Sequence, residues 1–274
     1  MKKWILFLAL TATISLLAAC GGEEAGGSES ESKEITIGAT AGPYSDMVTK
    51  ALKPGLEEKG YTVEVREFSD YIQPNNALAQ GDLDANLFQH KIYMETFSEQ
   101  NGLELSEVIS VPTAPMGIYS NKFDSIDAIE DGSTIAIPND PTNAARAFQI
   151  LQDAGLITLN PDSDPLTVSE KDVEENVKNL KFQPIEAAQL PRAVDSTDLS
   201  AVPGNFALAA KMDLLDALQL ENMPDQYRNR VVMNTKDIDS KLAQDIQEVV
   251  GSEEFEAIID EEFKGFGKPE WMEQ

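Results

Sequence analysis

The 274-residue chain has one cysteine and one histidine. That scarcity excludes a disulfide framework and the zinc or iron sites built from clustered Cys and His, leaving only carboxylate-based metal sites open. Basic residues are also few: 21 Lys and Arg face 48 Asp and Glu, for a formal charge of −27. A nucleic-acid backbone or an anionic membrane surface needs a basic counter-surface, so neither is an expected partner. A Ser or Cys nucleophile needs a nearby base, and with a lone histidine and no G-x-S-x-G turn that chemistry has little to work with. Beyond the N-terminal run described next, no hydrophobic stretch reaches the roughly 20 residues that cross a bilayer.

What is present starts with an export signal. Lys2 and Lys3 precede an apolar run from Trp4 to Leu17, without one acidic residue. The run ends in Leu17-Ala18-Ala19-Cys20 followed by two glycines, so the only cysteine stands where a lipoprotein signal would be cleaved and acylated. Residues 1–19 are therefore expected to be removed and Cys20 lipidated, which moves the formal charge from −27 to −29. Residues 20–33 are Gly, Ser and Glu with almost nothing to bury, the composition of a tether.

From residue 34 short apolar runs alternate with amphipathic segments. Strands are expected at 35–39, 62–68, 84–88, 135–138 and 199–202, and helices at 44–59, 91–100, 142–154, 187–194 and 205–215. This alternation gives an α/β fold with largely parallel sheets in two lobes. Ile238, Leu242, Ile246 and Val249, then Phe255, Ile258 and Ile259, mark two closing helices that return to the first lobe. The expected division is lobe 1 over 34–115, completed by 235–274, and lobe 2 over 116–234.

Two segments are dense in unusual residues. In the first, Phe88 and His90 share one face of a strand end and Tyr93 follows three residues after His90, so ring systems converge at the carboxyl end of a strand. Open α/β sheets bind ligands there, although core aromatics around a satisfied histidine give the same pattern. In the second, Asp140 and Pro141 are an N-cap and first helical residue, and Arg146 lies off the apolar stripe of Ala144, Phe148 and Leu151. A guanidinium beside a positive helix end suits a ligand carboxylate, and it equally suits a solvated surface arginine whose removal leaves the fold intact. Asn205 and Asn229 each offer an amide donor and acceptor, or serve as turn residues.

Together the lipobox, DYIQPNNALAQGDLDANLFQHKIY, AIPNDPTNAAR, AAQLPRAVD and YRNRVV resemble the NlpA family, the MetQ-type methionine-binding lipoproteins of bacterial ABC importers. The resemblance covers nearly the whole chain. It implies a two-lobed periplasmic-binding-protein fold of type II with the ligand cleft between lobes, no enzyme activity, no cofactor and no metal. It implies that Tyr71, Phe88, His90 and Tyr93 surround a methionine side chain, that Arg146 takes its carboxylate, and that Asn229 takes its polar backbone groups. Its partners would be an amino-acid ligand, an ABC permease with its ATPase, and the membrane through Cys20, the protein itself being a monomer. One position departs: where the family carries an asparagine ligand in a Val-Ile-Asn stretch, this chain has Val202-Pro203, with Asn205 two residues on. The implied contact is lost or remade by Asn205, leaving a methionine-containing dipeptide or another small apolar amino acid as alternatives. An acidic hydrolase working through carboxylates is the rival class.

Overall fold

The structure, a computed structural model, describes residues 33–273. Cys20, the signal segment and most of the tether lie outside them. The chain begins with β1 (Lys33–Thr40), α1 (Pro43–Met47), α2 (Lys53–Glu58), β2 (Tyr61–Phe68), α3 (Gln73–Gln80), β3 (Ala85–His90), α4 (Lys91–Asn101) and β4 (Leu105–Ser110). It continues with β5 (Gly117–Tyr119), β6 (Thr134–Pro138), α5 (Pro141–Asp153), β7 (Ile157–Leu159), β8 (Val173–Asn176), β9 (Lys181–Ile185), α6 (Leu190–Ala193), β10 (Leu199–Val202), α7 (Gly204–Ala209) and β11 (Gln219–Leu220). Last come β12 (Asn229–Asn234), α8 (Lys241–Val250) and α9 (Glu253–Glu262).

The strands form two five-stranded sheets, one per lobe, ordered β2-β1-β3-β12-β4 and β11-β5-β10-β6-β9; β7 and β8 pair separately. Both sheets are mixed. In the first, β12 runs antiparallel to β3 and β4; in the second, β5 runs antiparallel to β10 and β11. This corrects the expectation of largely parallel sheets, because apolar alternation records which face a residue occupies and says nothing of strand direction. It also moves the lobe boundary: the chain is back in the first sheet at Asn229, six residues before the expected 235. Arg230 pins that returning strand through Glu107 and Asp225, each at 2.8 Å.

Local chemistry explains two further differences. The helical path over 43–58 widens into a π turn at Val48–Leu52, immediately before Pro54, whose missing N–H and ring clash disfavour an ordinary α turn. The helix expected over 205–215 stops at Ala209, because Lys211 adopts a left-handed conformation with φ 63° and Met212 N–H turns back to the Ala207 carbonyl.

Ile246, Val249 and Val250 of α8 and Phe255 and Ile259 of α9 pack into the apolar core formed by Ile35, Ile37, Leu87 and Val231 of the first sheet. Each such side chain contributes roughly 1.5–3 kcal/mol when fully buried. The second lobe has its own core, centred on Ile118, Ile135, Phe148 and Leu199. Two chain crossings join the lobes, and they are tied together: Asn229 N–H donates to Thr113 Oγ1 at 2.7 Å, and Val111 N–H to the Asn229 carbonyl at 2.9 Å.

Candidate functional site

The first-lobe wall of the cleft is built from the ends of β3 and its flanking turns. Asp70 Oδ1 accepts N–H bonds from Ile72 and Gln73, at 2.7 and 2.8 Å, fixing the turn that presents Tyr71. Phe88 and His90 stand at the carboxyl end of β3, and His90 Nδ1 caps α4 by accepting from Tyr93 N–H at 3.1 Å. That cap sets Tyr93 in the first turn, where its hydroxyl donates to the Tyr71 carbonyl at 2.9 Å. Tyr71, Phe88 and Tyr93 then meet pairwise, with ring centroids 5.8 to 6.0 Å apart. Because Nδ1 accepts, His90 carries its proton on Nε2, which faces Asn143 Oδ1 of the second lobe at 3.3 Å. Burial, and then the nearby Arg146 charge, holds the His90 pKa well below its ordinary value, so the ring is neutral.

The second-lobe wall comes from α5 and α7. Asp140 caps α5 by accepting from Asn143 N–H at 2.9 Å, so the chain's own carboxylate already occupies that helix end. One turn on, Arg146 is 5% exposed. Its Nε and Nη2 donate to the two carboxylate oxygens of Glu221 at 2.7 and 2.5 Å, and its Nη1 to Asn143 Oδ1 at 3.0 Å. Burial opposes the guanidinium charge, yet the facing Glu221 carboxylate more than offsets it and raises the Arg146 pKa. Arg146 is therefore not a solvated surface residue, which corrects that expectation drawn from helix geometry; its guanidinium is buried and already paired within the protein. At α7, a side chain on Gly204 would collide with the Pro115 carbonyl and Ala114, so only glycine lets the helix start this close to the chain crossing.

Tyr71, Phe88, His90, Tyr93, Arg146, Asn205 and Asn229 all line one cavity between the lobes, whose free space of about 20 Å³ is on the scale of a single water. Two of its amides have unmet capacity: buried Asn205 Nδ2 has no partner, and the Asn229 side chain has none among the described residues. Asn205 Oδ1 is occupied, accepting from the Tyr71 hydroxyl across the cleft at 2.6 Å. Sequence reasoning missed Tyr44, Thr113 and Asn143 in the lining, and Glu221 behind it. Asn143 was within reach, being three residues before Arg146 and so on the same helix face. Glu221 lies 75 residues from Arg146 in a segment with no periodicity, and nothing local announces it.

This geometry has counterparts among known proteins. The NlpA lipoprotein family model matches residues 35–271. The chain belongs to the NlpA lipoprotein family. Within it, the D-methionine-binding lipoprotein MetQ of Escherichia coli (strain K12) is 34% identical, over 98% of this chain and 99% of that protein. The methionine-binding lipoprotein MetQ of Bacillus subtilis (strain 168) is 33% identical over 97% of each. Among solved structures, a nutrient-binding protein from Burkholderia cenocepacia bound to methionine superposes with a TM-score of 0.80 at 37% identity, covering 84% of this chain and 97% of that one. This NlpA-family chain is accordingly a binding protein and not an enzyme. Among the described residues no helix is long and apolar enough to cross a membrane.

Proposed function

We propose that this NlpA-family protein captures methionine, or an amino acid of closely similar shape, outside the cytoplasm and delivers it to an ABC permease and its ATPase. It does so as a monomer held to the membrane by acylated Cys20. The observation that carries this reading is the pairing, in one small cavity, of three converging rings with Arg146 and Asn205, whose buried Nδ2 has no partner. A thioether is apolar and polarizable, and sulfur–aromatic contacts add about 0.3–1.5 kcal/mol each, which favours methionine over an aliphatic side chain of equal length. The guanidinium and the free amides supply donors and acceptors for the ligand's carboxylate and ammonium.

A methionine-containing dipeptide is the second reading. One observation favours it: a second hollow of about 250 Å³ adjoins the cavity at Tyr71 and Tyr93 and is also lined by Phe206 and Glu186. Thermal unfolding against a panel of L- and D-amino acids and methionine dipeptides tests both. A ligand at about 100 times its Kd stabilises by about 2.7 kcal/mol. Methionine is expected to give the largest shift; a larger one from lysine or glutamate would remove this assignment of the cavity, since a charged side chain would be buried unpaired there.

A further inference from the structure

We propose that Glu221 sets the net charge of the ligand this protein accepts, holding Arg146 in place and cancelling its charge so that only a net-neutral, zwitterionic ligand fits well. The inference rests on reading the cavity as an amino-acid site, and it assigns a selectivity role to a residue that does not line it.

Among the described residues Arg146 is the only charged side chain that lines the cavity, and His90 is neutral. Glu221 grips the Nε and Nη2 edge of the guanidinium, and both side chains are at most 6% exposed. Glu221 is itself fixed: its Oε2 accepts from Met116 N–H at 3.0 Å, and its own N–H donates to the Met116 carbonyl at 2.9 Å. Asn143 takes one hydrogen of Nη1, so three of the five guanidinium N–H groups are committed and two remain for a ligand.

A buried guanidinium without a counter-ion would demand an anion, because an uncompensated charge in a closed cavity is strongly unfavourable. Glu221 satisfies that demand from within the protein. A monoanionic ligand then brings a surplus negative charge into a neutral, desolvated site, and a monocation brings a surplus positive one. A zwitterion brings neither, while its carboxylate still finds the remaining N–H groups and the amides of Asn205 and Asn229.

The test uses three ligands of one length: methionine, its hydroxy analogue 2-hydroxy-4-(methylthio)butanoate, which is a monoanion, and methioninamide, a monocation. Calorimetric titration of the intact protein should rank methionine first. The Glu221→Gln variant keeps the side-chain shape and removes the charge. In it the hydroxy acid should gain on methionine by about tenfold, the change a nearby unit charge makes when it shifts binding by about 1.4 kcal/mol. A simple brace would instead weaken all three ligands in proportion, and that result overturns the proposal. So does an intact protein that binds the hydroxy acid as tightly as methionine, a comparison that stands even if the variant does not fold. An intact protein that binds none of the three removes the amino-acid reading and this inference with it; binding without the change in ratio removes this inference alone.

Discussion

The Tyr71 hydroxyl donates to Asn205 Oδ1 at 2.6 Å, and the two residues come from opposite lobes. Burial pushes the Tyr71 phenol well above its ordinary pKa, so it remains a donor throughout the physiological range. Its ring also lies 4.9 Å from that of Phe206, in the same α7 as Asn205. This one side chain thus joins the lobes twice, once by a hydrogen bond and once by ring contact. Tyr71→Phe keeps the second link and leaves Asn205 Oδ1 buried without its donor. Ligand affinity should fall by about 1–3 kcal/mol. Calorimetry showing unchanged affinity would mean the bond has no share in holding the lobes together around the ligand.

Arg146→Ala should act on binding and on folding together. Loss of the ligand's partner is expected to cost roughly 2–5 kcal/mol of affinity. The same substitution strands Glu221 as a buried, uncompensated carboxylate, a change that typically costs about 3–5 kcal/mol of stability. Urea unfolding should therefore show a lower midpoint for Arg146→Ala, partly recovered in the Arg146→Ala, Glu221→Ala double variant. Additive losses in the double variant would argue against coupling between the two residues.

A pH dependence follows from the only histidine. His90 has a folded pKa well below the ordinary 6.5, chiefly from burial. Between its two pKa values the unfolded chain binds the extra proton, so this contribution is complete above about pH 6.5 and is lost as pH falls from there through the folded value. Carboxylates held down by their partners, such as Asp198 with the Thr134 N–H and Lys122, contribute their losses only as pH drops below their ordinary 3.8. The decline in stability between pH 6.5 and 5 should thus belong to His90. His90→Asn, which can still cap α4, should flatten it; an unaltered slope would place the titrating group elsewhere.

The anchor prediction concerns residues outside those described. Cys20→Ala should shift the protein from the membrane to the soluble fraction, because stable anchoring depends on acyl chains that only this residue can carry. Full membrane association of the variant would count against the lipobox.

What the sequence disclosed, and what it hid, follows physical lines. Strand ends and amphipathic helices leave periodic traces, so Phe88, His90, Tyr93 and Arg146 could be placed on elements and the closing helices foreseen. The DYIQPNNALAQ and IPNDPTNAAR stretches supplied the rest of the cleft by resemblance, including Tyr71. Tertiary partners leave no local trace. Arg146 off its apolar stripe looked solvent-facing, because helix geometry fixes direction and cannot reveal that the other lobe and Glu221 lie in that direction. The direction and order of strands were hidden for the same reason: β12 carries a continuous buried apolar run, Val231-Val232-Met233, and its position between β3 and β4 is set by pairing with segments far away in the chain.

That position of β12 governs timing during synthesis. β4 has no neighbour in the sheet except β12, and the Glu107–Arg230 bond between them spans 123 residues of chain. Until Asn229–Asn234 has been made, the N-terminal half of the protein is an incomplete sheet, whereas the strands of the second lobe are all in hand by Leu220. Pairings of such long range also form slowly. A chain truncated after Arg228 should accordingly be cut by protease throughout its first lobe. For a polypeptide whose residues 1–19 are expected to direct export, this late-arriving strand lengthens the interval in which it can be threaded across a membrane before it locks.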